Sequence, residues 1–269
     1  GSMYLWVDKG DLVKSIKYVS NSGSDENDGD TPETAYATIK KAEDSIFEEQ
    51  GSIDGGIVYL LPGEYLTPGS SWRQRLTKRW FTITSAPGVS KKDVKIIGRE
   101  EGARWTIENI RFSNLTFDLT EGGNIINPKG LSRVWFDDLD IFGPGPCEVY
   151  SAIINQASEV FWTGVYMKDF INPLYSPNSK NLIARNIYLE NVGEDAFRIG
   201  RLLINGTAER VGGWGCEGVH SDLVQSGTQK NFIIYGLNVI DVKTQGIYAG
   251  GEDWAVVNVL VDLHSDKGY

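Results

Sequence analysis

Histidine, cysteine and methionine are each present only twice in these 269 residues. Two cysteines, Cys147 and Cys216, cannot build a disulfide framework in so long a chain, and by themselves they leave the redox compartment open. No run approaches the ~18 consecutive apolar residues of a membrane-spanning helix, so no membrane partner is expected. A basic stripe is also missing. The 26 Lys+Arg against 36 Asp+Glu give a formal net charge of -10 and a pI near 4.8, which argues against nucleic acid, because phosphate binding needs clustered positive charge. The same field repels an acidic glycan at long range unless a local Arg/Lys group or a bound cation reverses it. A secretion signal is lacking too: Gly1-Ser2 reads as an expression remnant, and Tyr4-Leu5-Trp6-Val7-Asp8 is no leader. With Met3 as the native start the chain would be intracellular or virus-associated; with a trimmed leader it would be extracellular.

What is there begins with a short strand, Ile16 to Ser20, and a loop dense in Gly, Asp, Asn and Ser from Asn21 to Asp30. Thr31-Pro32-Glu33-Thr34 then starts a helix, whose stripe of Ala37, Ile39, Ala42, Ile46 and Phe47 runs to Gln50-Gly51. Gly56 to Tyr65 is a buried strand closed by Pro62-Gly63. Tyr18-Val19-Ser20 with Gly23-Ser24-Asp25, then Gly29, Ala37-Thr38-Ile39 and Ala42, then Val58-Tyr59-Leu60-Leu61-Pro62-Gly63-Glu64-Tyr65, resembles the entry segment of the pectate-lyase-like right-handed parallel β-helix superfamily. That superfamily holds polysaccharide lyases and glycoside hydrolases, and the segment matches no particular family within it. The resemblance implies an all-β chain: a single-stranded right-handed parallel β-helix with an N-terminal capping α-helix.

An internal repeat supports the same architecture. Six segments read as a small or polar residue followed by apolar, any, apolar, starting at Asn114, Asp138, Gly164, Asn186, Gly236 and Asn258. The widest gap accommodates a degenerate turn at Gly206. A period in the twenties without helical spacing is what one coil of a parallel β-solenoid needs, and the Leu-rich consensus of a leucine-rich repeat is absent. No linker interrupts it, so residues 1–269 read as one domain, with 1–65 as entry strand, capping helix and first coil, and 66–269 as further coils. Only a short tail follows the last repeat at Val259-Leu260-Val261. An uncapped final coil points to a truncated chain or to a homo-oligomer joined there.

The chemistry gathers at Gly218-Val219-His220-Ser221-Asp222-Leu223-Val224-Gln225, which holds one of the two histidines. Its alternation reads as a strand with His220 and Asp222 on one side. Aligning a second strand per coil stacks Ile153, Leu174, Phe197, Leu223 and Ile247 inward. One outward row is then Ala152, Pro173, Ala196, Asp222 and Gly246; another is Ile154, Tyr175, Arg198, Val224 and Tyr248; a third is Glu194, His220 and Thr244. Small neighbours on either side would leave the Asp222 carboxylate accessible in a groove. Asn155 and Gln225 fall in the inward row as a buried amide ladder. Gly212 to Glu217 forms a wall, where Trp214 offers a sugar a stacking face.

Two glycan chemistries fit these residues. In β-elimination on a uronate, Arg198 neutralises the carboxylate, His220 removes the proton and Tyr248 protonates the leaving oxygen. Hydrolysis needs two carboxyl groups across the bond, which Glu194, Asp195, Asp222 and Glu217 could supply. Asn191 to Phe197 also resembles the polygalacturonase segment with paired acids after a glycine, although Glu194 replaces the first Asp, Val219-His220-Ser221 replaces Gly-His-Gly, and Asn172-Pro173-Leu174 replaces Asn-Thr-Asp. The expected function is cleavage of an acidic polysaccharide by a lyase, with catalytic His220, Asp222, Arg198, Tyr248 and Glu194 and substrate-binding Trp214, Glu217, Asp195 and Tyr175. A polygalacturonase-like hydrolase is the first alternative. A glycan-binding or virion-fibre solenoid, in which His220 and Asp222 only hold adjacent coils, is the second. No cofactor is obligatory. The Asp25, Asn27, Asp28, Asp30 loop and the Asp137, Asp138, Asp140 run would admit calcium, but they read first as turn chemistry and solvated acids.

Overall fold

The structure, a computed structural model, describes residues 15–50, 55–66, 79–98, 108–122, 133–148, 159–175, 181–198, 201–212, 216–225, 231–244, 246–248 and 252–262. In chain order these form β1 (Ile16–Val19), α1 (Ile39–Gln50), β2 (Gly56–Leu60), β3 (Gly63–Leu66), β4 (Phe81–Ser85), β5 (Val94–Ile97), β6 (Asn109–Asp118), β7 (Arg133–Phe142), β8 (Glu159–Phe170), β9 (Leu174–Tyr175), β10 (Asn181–Val192), β11 (Phe197–Arg198), β12 (Leu202–Val211), β13 (Val224–Gln225), β14 (Ile233–Val242), β15 (Ile247–Tyr248) and β16 (Ala255–Asp262). Apart from α1 and a 3-10 turn at Lys91–Asp93, the described residues are all-β. The long strands pair in parallel in the order β1-β2-β4-β6-β7-β8-β10-β12-β14-β16, an open sheet to which β3 and β5 add a branch. From β8 on, the chain crosses a second parallel sheet, β15-β13-β11-β9, between long strands. From β8 on, each circuit therefore adds one strand to each sheet.

The repeat has a physical cause in the backbone. Asn114, Asp138, Gly164, Asn186, Gly236 and Asn258, the six repeat starts, all have φ between 51° and 72°. Only Gly adopts this region freely, with Asn and Asp next, which is why the pattern begins on these types. The degenerate turn falls on Asn205 (φ 55°), not Gly206. The bend consumes one residue outside the ladder: Arg185 pairs Ile204 and Ile187 pairs Gly206, skipping Asn186 and Asn205. Like a bulge, it shifts the alternation, so Leu182 and Ala184 point inward before it and Ile187 and Leu189 after it. A second bend follows at Asp169, Asn191, Arg210 and Asp241 (φ 54° to 63°), turning the strand again. Replacing Asn186 by valine should lower stability by about 1–2 kcal/mol while glycine is tolerated, because a β-branched side chain at positive φ meets its own backbone. Equal melting temperatures for the two variants would contradict that account.

The interior is filled by stacks along the sheet axis. Phe112, Phe136 and Trp162 lie one above another with ring centroids 5.7 and 4.0 Å apart. The helix covers the first circuits with Ile39, Ala42, Ile46 and Phe47, but it starts at Ile39, not near Thr31. The Asp25 carboxylate explains the delay: it accepts from the Ala37 and Thr38 amides at 3.0 Å and from Thr38 Oγ1 at 2.9 Å, while Thr38 Oγ1 accepts from Lys41 N. Thr38 is thus the N-cap. The other loop acids have partners as well, Asp28 with Thr34 Oγ1 and Asp30 with the buried Lys17. Asp137 pairs Arg111, and Asp138 and Asp140 pair Lys91. Among the described residues, no group of three or more His, Cys, Asp or Glu converges as a metal site.

Candidate functional site

The predicted cluster sits where β10 and β12 leave the long sheet for the short one. After β10, Gly193 N and Glu194 N donate to the carbonyls of Phe170 and Ile171, turning the chain into β11. One circuit later Gly212 N donates to the Val192 carbonyl in the same way. The segment from Gly218 to Leu223 is irregular, not a strand, and only Val224–Gln225 pairs. The register is Leu174, Phe197, Val224, Ile247, so the inward residue of the third circuit is Val224, not Leu223. Leu223 and Val224 are both buried, and two consecutive apolar residues make the alternation ambiguous there.

That slip of one residue relocates every neighbour. Counting back from Phe197 and Val224, Asp195 lies beside Asp222 and Glu194 beside Ser221, where the sequence reading had Ala196 and His220. Gln225 turns outward, between Arg198 and Tyr248 in register, instead of joining a buried amide ladder. Asn155, with Ala152, Ile153 and Ile154, lies outside the described residues, as does Trp214. Tyr175 pairs Arg198 through its backbone.

The carboxylates are enclosed, contrary to the expected open groove. The side chains of Asp195 and Asp222 are 0% and 3% exposed. Asp195 Oδ1 accepts from Asp222 N at 2.9 Å and its Oδ2 from Arg198 Nε at 2.5 Å. Asn172, at the same place one circuit earlier, accepts from Asp195 N at 3.1 Å and donates to Glu194 Oε2 at 2.6 Å. The Asn172, Asp195, Asp222 column is therefore a ladder in which one side chain takes the backbone N–H of the next circuit. Burying such groups without these bonds would be costly. Asp222 Oδ2 accepts from Gln225 Nε2 at 3.2 Å, and His220 Nδ1 stands 3.8 Å from the same oxygen. His220 is 60% exposed. Glu217 and Tyr248 are also exposed, Glu194 is half-buried and Arg198 is 24% exposed. An exposed imidazole thus stands over a floor of buried, hydrogen-bonded carboxylates.

Two features beside this cluster escaped sequence reading. Cys147 and Cys216 are joined in a disulfide across 69 residues of chain. On the outer face of the long sheet, Tyr166 donates to Glu190, Tyr188 to Glu209, and Lys168 pairs Glu190 at 2.6 Å. The Tyr188 phenol is pushed up to about 12 by its bond to Glu209, with burial adding to it. Burial and Glu190 raise Tyr166, and burial raises Tyr65 to about 12. These folded values lie above the ordinary phenol near 10, so the folded chain holds these protons more tightly than the unfolded one. Their contribution to stability is complete below about pH 10 and is lost as pH rises through about 12. The melting temperature should fall over that window, and tyrosinate absorbance should show a late-titrating class. A single titration of all tyrosines near 10 in the folded protein would rule this out.

No protein-family model and no curated protein matches the chain. Among solved structures it is similar to a rhamnogalacturonan lyase, at 14% sequence identity and a TM-score of 0.36. The match covers 90% of this chain and 62% of that one, so the chain spans less than two thirds of that structure's length.

Proposed function

We propose that the chain is a one-domain right-handed parallel β-helix that cleaves an acidic, uronate-containing polysaccharide by β-elimination. The observation that carries this reading is the exposed His220 imidazole over enclosed carboxylates. Hydrolysis through paired acids needs two carboxyl groups that reach the glycosidic bond, ~5 to 9.5 Å apart. Asp195 and Asp222, the adjacent pair, are engaged within the ladder instead. Glu217 and the His220 imidazole both meet solvent, and of the two the imidazole is the one that stands beside the enclosed acids, 3.8 Å from Asp222 Oδ2.

In this scheme His220 takes the proton α to the uronate carboxylate. The electron pair left behind forms the new C=C bond as the glycosidic C–O bond breaks, and Tyr248 gives the leaving oxygen its proton. Arg198 faces the uronate carboxylate, oriented by the bond from its Nε to Asp195. Glu217 and Glu194 would line the path of the glycan.

The test is absorbance at the unsaturated-uronate band on mixing with pectin, alginate and glycosaminoglycan. New absorbance that His220→Ala removes supports elimination; new reducing ends without absorbance would replace it with hydrolysis. The ladder of Asn172, Asp195 and Ser221 bonds between circuits favours a second reading, a glycan-binding solenoid without turnover. Binding by calorimetry with neither product signal selects that one.

A further inference from the structure

The loop after β7 climbs across the neighbouring circuits. Gly143 N and Gly145 N donate to the carbonyls of Lys168 and Asp169 at the end of β8, at 2.8 and 3.0 Å. Pro146 then lies on Gly193, past the end of β10: a Cβ on Gly193 would stand 1.7 Å from the Pro146 carbonyl oxygen. Gly193 is required here by this close approach, since its φ is not in the left-handed region. Cys147 finally reaches Cys216, past the end of β12. In the sheet β7 and β12 are separated by β8 and β10, a climb of roughly 14 Å at ~4.8 Å per strand.

The far end of this arch is the segment that carries His220. Cys216 pins it at one end. At the other, Ser221 Oγ donates to the Gly193 carbonyl at 3.1 Å and Asp222 N to Asp195 Oδ1. Glu217 to His220 spans the interval, with Gly218 at φ 72° in open space. Gly193 is thus gripped from both sides, by Pro146 of the arch and by Ser221 of the histidine segment. We infer that the Cys147–Cys216 cross-link, seated through Pro146 on Gly193, positions His220 over the buried carboxylates. Cys147, Cys216, Pro146 and Gly193 are positioning residues that act through the 216–222 segment. This inference rests on the proposed role of His220 only for its catalytic consequence; the positioning itself does not.

Amide hydrogen exchange on the full chain tests it, comparing the oxidised protein, the protein treated with a phosphine reductant, and the Cys147→Ser/Cys216→Ser variant. The expected result is exchange at least about tenfold faster over residues 217–220, with β10 and β12 amides unchanged. Gly193→Ala, which keeps the disulfide but lifts Pro146, should accelerate the same residues, so a cysteine variant that folds poorly does not decide the matter. Unchanged exchange at 217–220 after reduction overturns the inference. Acceleration spread evenly over β10 and β12 in both the reduced and Gly193→Ala proteins overturns it as well, since the bond would then be a general staple. If the wild type cleaves uronate, kcat should fall about tenfold or more on reduction, in step with the local exchange. A wild type without lyase activity defeats the proposed function and leaves the exchange result to judge the cross-link alone.

Discussion

His220→Ala should abolish detectable elimination, a loss of about 10² to 10⁴ in kcat, while the melting temperature stays where it was. The first half follows from the role of a general base, whose removal withdraws proton transfer at the reacting carbon. The second follows from exposure: a side chain 60% in solvent, 3.8 Å from its nearest carboxylate oxygen, contributes little to packing. Asp222 keeps its bond from Gln225 and stays enclosed by the ladder when the imidazole is gone. The glycan-binding reading predicts the opposite pairing, a lower melting temperature and unchanged affinity. Arg198→Lys adds a second axis. Lysine keeps the charge but cannot bind Asp195 through Nε and a carboxylate through a planar fork at once, so turnover should fall by much more than stability. A His220→Ala enzyme with full turnover would remove the lyase scheme altogether.

How much of this was legible in the sequence follows from which constraints act locally. The repeat starts were readable because a residue at positive φ must be Asn, Asp or Gly, and that demand recurs at each circuit whatever the length of the loop between. Asn205 and Gly206 could not be told apart, since both types tolerate the conformation. The parallel architecture and the capping helix were readable for the same reason, although the helix start was not: Asp25, thirteen residues upstream of Thr38, decides it. Of the expected site residues, Asp195, Arg198, His220 and Asp222 lie near one another, displaced by one residue from the expected alignment. With Leu223 and Val224 both apolar, only the pairing of Phe197 with Val224 fixes which of them faces in, and that pairing depends on loops of unequal length. The disulfide was invisible because nothing local relates residues 69 apart. Asp195 looked like a substrate contact because its backbone partner, Asp222 N, lies a full circuit away.

Asp195→Ala should be the most destabilising single change in the cluster, by about 3 kcal/mol or more, or a fall in melting temperature of roughly 6–12 °C. Three losses combine. Asp222 N, in a buried segment, is left without its acceptor, at a cost of about 1–3 kcal/mol. Arg198 loses the carboxylate at its Nε, and at 24% exposure water replaces that contact only in part. The removed side chain also leaves space beside Asn172 and Ala196, both buried. Asp195→Asn separates these contributions. Asn172 already performs the same task one circuit earlier, accepting a backbone N–H through its amide oxygen, so asparagine at 195 preserves the ladder while its amide nitrogen, a donor, replaces the oxygen that accepted from Arg198 Nε. The asparagine variant should therefore recover most of the lost stability while elimination remains impaired, because Arg198 is no longer held in place. Two variants equally destabilised would assign the stability to the ion pair; two variants as stable as the wild type would mean that the ladder holds nothing together.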